Sequence, residues 1–169
     1  MFKIESARLL MKPFSFDDAD FIIQLLNEES FIKNITDKNV HTIADAQQYL
    51  RSGPMASYAT FGFGLTLVTL KECGTPIGMC GLLKRDELPY ADLGYALLPQ
   101  FWGKGYAYEA AKAVLIYELS KHGLEKVLAV VSSNNINSNK LLVKLGFERI
   151  ESLELYGKLN NQYAFTLDG

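Results

Sequence analysis

The sequence predicts a mixed α+β domain in which a mainly antiparallel sheet of about seven strands carries helices on both faces. Two observations lead to this prediction. Short β-rich segments separated by turn residues follow one another through the centre of the chain, as in an antiparallel meander. Segments with apolar residues at helical spacing precede, interrupt and follow these strands. Strands interspersed with helices in this order give a sheet with both faces covered.

The strands are identified by β-branched and aromatic residues between turn residues. The first strand stops at Pro13. Turns at residues 72–75 and 86–89 separate three strands of the meander, and a valine-rich segment after the longest helix is typical of a buried strand. The predicted strands cover residues 8–12, 65–71, 77–84, 91–98, 126–131, 149–155 and 163–167.

The helices are identified by apolar faces and capping residues. Ser15 and the aspartates that follow it supply capping oxygens for the first helix. Thr42 and Asp45 resemble a capping box that begins the second helix, which is predicted to end before Gly53. The polar segment 31–40 between them fits either a flexible lid or a surface connection. The later helices cover residues 106–121 and 138–145, and Gly123 and Gly146 end them.

The composition is that of one globular domain spanning residues 1–169. Of its residues, 49% are hydrophobic and 21% are charged, as in a protein with a packed core. A net charge of −2 gives no electrostatic footprint for nucleic acid or an anionic membrane. No apolar run approaches the roughly 20 residues that span a bilayer, and no signal-peptide core is visible. A cytoplasmic protein is therefore expected.

The cysteine and histidine residues give no sign of a metal site. Cys73 and Cys80 do not form a Cys-x-x-Cys pair and are expected to be free thiols in a reducing compartment. The two histidines stand apart from each other and from acidic clusters, so no bound metal is expected. The assembly is expected to be a monomer or a homodimer.

A glycine turn, Gly103-Lys104-Gly105, joins a predicted strand to the long helix. The first turn of a helix has backbone N–H groups without intrahelical partners, and the helix dipole is positive at this end. Glycines let such a backbone approach a phosphate closely, although the spacing matches neither a Walker A loop nor a dinucleotide fingerprint. The turn therefore predicts an anion site, with a simple connecting turn as the alternative.

Several motifs in one order along nearly the whole chain resemble the GNAT superfamily of N-acetyltransferases. Within that superfamily the chain looks most like the Rim branch, which is named for acetylation of ribosomal-protein N-terminal alanines. The matching motifs are Arg8-Leu9-Leu10, Ile77-Gly78, Gly81, Leu93-Gly94-Tyr95, the run 101–107 with Glu109-Ala110, Asn135-x-x-Ser138 and Leu145-Gly146-Phe147. The resemblance implies a splayed sheet and acetyl-CoA as the cosubstrate.

The resemblance also implies how acetyl-CoA is held. The strand ending at Leu97 would pair through its backbone with the pantetheine arm, and the strand 126–131 would splay away to leave a slot for the thioester. The pyrophosphate would lie on the N–H groups of the glycine turn. Asn135 would bind the pantetheine arm, with a turn or capping role as its alternative. The expected cofactor contacts are Leu97, Leu98, Trp102, Gly103, Lys104, Gly105, Tyr106, Ala107, Asn135 and Ser138.

Acetyl transfer to an amine requires a base for the ammonium proton and a route for the departing thiolate. Asp92 is the candidate base, because relatives often place a carboxylate in this strand; a structural surface aspartate is the alternative. Ser138 is a candidate to protonate the thiolate, with helix capping as its alternative. Protonation by water, or departure of the thiolate without an acid, stays open beside it. Many relatives carry a tyrosine acid where this chain has Leu142, so a tyrosine at that position is excluded.

The predicted function is acetyl-CoA-dependent acetylation of a primary amine, such as a protein N-terminal amine. A small-molecule amine acetyltransferase and a non-catalytic acyl-CoA-binding module are the alternatives. The segments 31–40 and 86–90 are the candidate acceptor loops, and neither carries a recognisable code for the acceptor.

Overall fold

The structure, a computed structural model, describes residues 2–167 and consists of one open, mainly antiparallel sheet with helices on both faces. The strand order is β1-β2-β3-β4-β5-β6-β8-β7, and only the β5–β6 pairing within these described residues is parallel. The predicted fold class is confirmed, with eight strands instead of about seven. The strands are β1 Ile4–Glu5, β2 Leu9–Pro13, β3 Leu65–Leu70, β4 Pro76–Leu83, β5 Asp92–Leu97, β6 Lys126–Ser132, β7 Glu148–Leu155 and β8 Lys158–Thr166.

Two helical segments begin at the predicted capping boxes, whereas the last helix begins at Ile136 and not at residue 138. Ser15 with Asp18, and Thr42 with Asp45, both form capping boxes in which side chain and backbone bond reciprocally. The helices are α1 Ala19–Leu26, α2 Glu29–Asn34, α3 Ile43–Leu50, α4 Ala56–Phe61, α5 Tyr106–His122 and α6 Ile136–Leu145. None of the helices in the described part of the chain is long and apolar enough to cross a membrane.

Several predicted boundaries were wrong, among them the start of the last strand, which is Lys158 and not residue 163. The helix that begins after Thr42 does not end before Gly53: it continues through a π-helical turn, Arg51–Met55, into α4. The wider turn accommodates Pro54, whose ring would collide with the preceding carbonyl of a regular α-helix. The segment 31–40 was predicted to be irregular, yet α2 occupies its first part because Phe31 is buried against the neighbouring helices.

Each face of the sheet has its own apolar core. On one face, α5 and α6 pack on the sheet through Ala111, Val114 and Leu142. On the other face, α1, α2 and α3 cover β3 and β4 through residues such as Ile22 and Leu50. The predicted placement of helices on both faces is thereby confirmed.

The sheet divides between β5 and β6. Among the described residues these two strands share one register pair, Asp92 with Leu128, next to a bond from the Leu128 N–H to the Ala91 carbonyl at 2.9 Å. On its other edge β6 pairs with β8 along its whole length, so beyond Leu128 only its edge toward β5 lacks a strand partner among the described residues. The splay that the family resemblance implied is therefore present, and it opens toward the glycine turn at the end of β5.

A buried carboxyl group in α5 gives the fold a testable pH dependence. The Glu118 Oε2 and His122 Nε2 atoms lie 3.0 Å apart, and Glu118 is almost fully buried. Burial raises the pKa of Glu118 from 4.5 to about 7, although Lys121 opposes the shift. The unfolded chain therefore releases this proton at lower pH than the folded protein, and the free energy of unfolding falls as the pH rises from 4.5 to about 7.

We expect Glu118→Gln to stabilise the protein, relative to the wild type, more at about pH 8 than at about pH 5. The neutral amide does not acquire the buried charge, which costs up to about 1.4 kcal/mol per pH unit across the titration window. Urea unfolding at both pH values measures the difference, and Glu125→Gln at an exposed site is the control. An equal effect of Glu118→Gln at both pH values would contradict the assignment.

Candidate active site

The gap between β5 and β6 exposes one backbone edge of β5. In an antiparallel ladder, alternate residues direct their N–H and C=O groups to opposite sides. The Leu98 N–H donates to the Ile77 carbonyl on β4, whereas the Ala91 carbonyl faces β6. By this alternation the backbone groups of Tyr95 and Leu97 point into the gap. An extended, amide-containing ligand can pair with such an edge as an added strand does.

The glycine turn lies directly beyond this edge and begins α5. Gly103 and Gly105 have φ values of +75° and +81°, a region that side chains with a Cβ rarely adopt. Gly105 is the N-cap of α5, and the first helical bond runs from the Glu109 N–H to the Gly105 carbonyl at 3.1 Å. The N–H groups of residues 106–108 have no carbonyl of a preceding helical turn to donate to, so they are available to an anion.

A network anchored in the turn between β1 and β2 holds the glycine turn in place. The Arg8 Nε donates to the Glu109 Oε1 at 2.7 Å, and the Arg8 Nη1 donates to the Lys104 carbonyl at 3.0 Å. The Arg8 guanidinium also lies 4.4 Å from the centre of the Tyr106 ring. Burial raises the pKa of Glu109, but the hydrogen bonds from Ser6 and Arg8 lower it by more. The pKa is therefore below its usual value, and the carboxylate is charged. Glu109 thus fixes the start of α5 from inside the protein.

The other residues predicted to contact the cofactor differ in their exposure to solvent. Trp102 is 48% exposed, and its indole N–H donates to the Leu97 carbonyl at 3.0 Å, so it is not a core residue. Gly103, Lys104 and Gly105 are exposed, and Tyr106 and Ala107 are partly buried. Leu98 is buried in the core beneath α1 and α3, and its N–H is already bonded to β4. Leu98 therefore offers the ligand neither its side chain nor its amide hydrogen.

Asn135 and Ser138 lie at the start of α6, on the β6 side of the gap. The Asn135 side-chain oxygen accepts the Ser138 N–H at 3.2 Å, which makes Asn135 the N-cap of the helix. The capping role considered for Ser138 thus belongs to Asn135. The Ser138 hydroxyl is left to another partner.

That partner is Tyr95, which belongs to one of the matching motifs but was not predicted as a site residue. The Tyr95 hydroxyl lies 2.6 Å from the Ser138 Oγ and so reaches from β5 to α6 across the gap. Burial raises the pKa of Tyr95 to about 12, so the phenol is neutral and can donate a hydrogen bond. Leu142, which occupies the usual tyrosine position, is fully buried in the core.

Asp92 lies at the closed end of the gap, where β5 and β6 meet. It is fully buried, and Arg85 binds both of its oxygens, with Nε 3.2 Å from Oδ1 and Nη2 2.5 Å from Oδ2. Burial raises the pKa of Asp92 and the Arg85 contacts oppose this, leaving it above its usual value. The surface aspartate considered as an alternative does not occur, because Asp92 contacts no solvent.

The β7–β8 turn brings the two candidate acceptor loops together near Arg85. The Lys158 ammonium donates to the Ile35 carbonyl at 3.4 Å, which ties the turn to the end of α2. Tyr156, at the tip of the same turn, faces Glu87 and Arg85, and the Glu87 carboxylate raises the pKa of the Tyr156 phenol. The turn was not recognised from the sequence as part of this region.

A splayed sheet, a glycine turn at a helix N-terminus and an open strand edge beside it together define a fold class found among acetyltransferases. Residues 8–148 match the family model described as an acetyltransferase (GNAT) domain. Because this match covers most of the chain, the protein belongs to the GNAT family of acetyltransferases.

The chain also resembles individual bacterial proteins. It is 30% identical over 168 residues to an uncharacterized N-acetyltransferase, p20, of Bacillus licheniformis, covering 95% of this chain and 92% of the relative. It is 28% identical over 155 residues to the uncharacterized N-acetyltransferase YoaA of Bacillus subtilis, covering 90% and 86% of the two chains.

The fold is shared with a solved coenzyme A complex. RimL, a ribosomal L7/L12 alpha-N-protein acetyltransferase, superimposes with a TM-score of 0.85 at 16% identity, covering 99% of each chain. The protein is therefore an acyltransferase of the GNAT type, and acetyl-CoA-dependent N-acetylation is its class of reaction.

Proposed function

We propose that this enzyme transfers an acetyl group from acetyl-CoA to a primary amine, with a protein N-terminal amine as the first candidate acceptor. The observation that carries the proposal is the open β5 edge, which runs directly into the amides at the start of α5. The edge suits the amides of a pantetheine arm, and the helix N-terminus suits a pyrophosphate. A small-molecule amine is the second candidate acceptor.

The residues that would hold acetyl-CoA follow from this arrangement. Tyr95 and Leu97 would pair with the pantetheine arm through their backbone groups, and Asn135 faces the same gap from α6. The amides from Gly103 to Ala107 would hold the pyrophosphate, while Trp102 borders the arm through its bond to Leu97. The positive end of the α5 dipole adds to the attraction for the diphosphate.

For Asp92, we propose a positioning role. A carboxylate without exposed surface that already binds Arg85 with both oxygens is out of reach of a solvated amine. Asp92 instead holds Arg85 beneath the β7–β8 turn, and the attacking ammonium loses its proton to water. The earlier expectation that Asp92 is the base makes a different prediction, so the two can be separated.

We expect Asp92→Asn to lower kcat by about ten- to a hundredfold, because a displaced Arg85 misplaces the acceptor. If Asp92 acts through Arg85, the loss is the same at every pH and the affinity for acetyl-CoA is unchanged. A pH–rate profile measures this, with Asp20→Asn at an exposed position on α1 as the control. A loss concentrated at low pH, where the amine is protonated, would restore Asp92 as the base.

The proposed function is tested by thiol release from acetyl-CoA with a thiol-reactive dye. The acceptor panel contains peptides with free N-terminal amines, the same peptides with blocked amines, polyamines, amino sugars and amino acids. Turnover with free but not blocked N-termini supports the first candidate, and turnover with small amines alone supports the second. Saturable acetyl-CoA binding without turnover on any amine would indicate a non-catalytic acyl-CoA-binding module.

A further inference from the structure

We infer that Tyr95 acts with Ser138 to stabilise the thiolate of coenzyme A as it leaves, in place of a tyrosine acid on α6. The inference rests on the proposed function, because it assigns a role within acetyl transfer. It starts from the 2.6 Å contact between the Tyr95 and Ser138 hydroxyls, which joins β5 to α6 across the gap.

The hydroxyl pair lies where the sulfur at the end of the pantetheine arm is expected. A pantetheine arm that enters beside Leu97 runs along β5 toward the point where the strands rejoin at Asp92 and Leu128. Tyr95 lies between these two points, and Ser138 faces it from the first turn of α6. The sulfur at the end of the arm therefore comes to rest beside the hydroxyl pair.

The pair donates hydrogen bonds and not protons. A thiol with a pKa of about 8.5 is a much stronger acid than a phenol whose pKa burial raises to about 12. A complete proton transfer from Tyr95 to the thiolate would therefore be strongly uphill. The neutral amine forms a C–N bond to the thioester carbon, and when the tetrahedral intermediate collapses, the C–S bond breaks, its electron pair stays on sulfur, and the extra proton on the nitrogen goes to water.

In this chain of hydrogen bonds, Ser138 is the direct donor and Tyr95 is a positioning residue. Either hydroxyl of the pair can donate to the other, and this role assigns the Tyr95 O–H as the donor to the Ser138 Oγ, which leaves the serine hydrogen for the sulfur. The Ser138 N–H is bound by Asn135, so the serine backbone is fixed as well. Leu142 is buried on the core side of α6 and cannot take part. The arrangement resembles an oxyanion hole that is directed at sulfur.

The direct test is the pKa of the coenzyme A thiol when bound, followed by the ultraviolet absorbance of the thiolate during a pH titration. Hydrogen bonds to a charged acceptor are among the stronger ones, so we expect the bound thiol of the wild type to titrate at least about one pKa unit below the thiol of free coenzyme A, titrated in the same way. Ser138→Ala should abolish the shift, and Tyr95→Phe should remove about half of it. Both variants should also lower kcat about tenfold with little change in KM.

Tyr163→Phe is the matched control. The Tyr163 hydroxyl donates to the Asn139 Oδ1 at 2.7 Å, so this variant also removes a buried phenolic bond to α6, one residue beyond Ser138. It should leave the bound thiol pKa and kcat unchanged. Unfolding temperatures measured on all three variants show whether each protein remains folded.

The outcomes separate this inference from the proposed function. If the wild type turns over but Tyr95→Phe gives the same thiol pKa and kcat as Tyr163→Phe, Tyr95 only ties α6 to β5 and the inference is overturned. If no amine is acetylated by the wild type, the proposed function fails first, whereas a lowered pKa of bound coenzyme A would still reveal the hydroxyl pair.

Discussion

Gly103→Val should weaken acetyl-CoA binding at least tenfold while the protein remains folded. Gly103 has a φ of +75°, and a β-branched side chain is a clear outlier there, with a strain on the order of 1–3 kcal/mol. A Cβ at this position would meet nothing within 4 Å, so the strain is relieved by a change in the turn itself. That change moves the amides that hold the pyrophosphate. Isothermal titration with acetyl-CoA measures the loss.

Gly74→Val provides a matched control. Gly74 has the same φ of +75°, and a Cβ there also meets nothing within 4 Å, but it lies in the turn between β3 and β4. Both variants should lose similar stability in urea unfolding, and only Gly103→Val should lose affinity. Equal affinities would show that the glycine turn merely connects β5 to α5.

Gly81→Ala should lower the free energy of unfolding by about 3 kcal/mol, the upper part of the range for inserting a methyl group into a packed interior. A Cβ at Gly81 would lie 2.1 Å from the Gly64 carbonyl oxygen and 2.8 Å from the Leu65 Cα. Both are backbone atoms beside β4, so no side-chain rotation can relieve the contact. The strands at the centre of the sheet would have to separate. Urea unfolding with an unchanged m-value measures the effect.

Gly94→Ala is the control for this substitution. Gly94 faces Gly81 across the β4–β5 pair, but a Cβ there would meet only side-chain atoms, and the nearest is the Leu83 Cδ1 at 3.0 Å, the mobile end of a side chain. We expect it to cost under about 1 kcal/mol. If Gly81→Ala cost no more than Gly94→Ala, the close approach of the backbones at Gly81 would be disproved.

Short-range sequence signals were enough to predict most elements of the fold. Capping at Thr42, the glycine that ends α5 and the turn residues of the meander each act over a few positions, so they can be recognised without the rest of the protein. Strand β1 was missed because two residues show no periodicity. The passage of a helix through Pro54 was missed because tertiary packing overrides the usual breaking effect of proline.

The candidate site likewise has one part that the sequence could predict and another part that depends on contacts between distant residues. The glycine turn is one contiguous segment, and its position before a helix was enough to indicate an anion site. Tyr95 and Ser138 are 43 residues apart, and only the path of β6 and α6 brings them together. The burial of Asp92 depends on Arg85, seven residues earlier across a strand turn, and a strand pattern gives a side chain's face but not what covers it.

The central claim is that acetyl-CoA lies along the β5 edge, and residue-resolved amide hydrogen exchange tests it most directly. With saturating acetyl-CoA we predict added protection at the amides of Tyr95 and Leu97, and at those of Tyr106 and Ala107 in the first turn of α5. The amides of Gly94 and Ala96 already face β4 and should change little, so protection along β5 should alternate. Protection that did not alternate, or bound acetyl-CoA that left Tyr95 and Leu97 exchanging as before, would contradict the account.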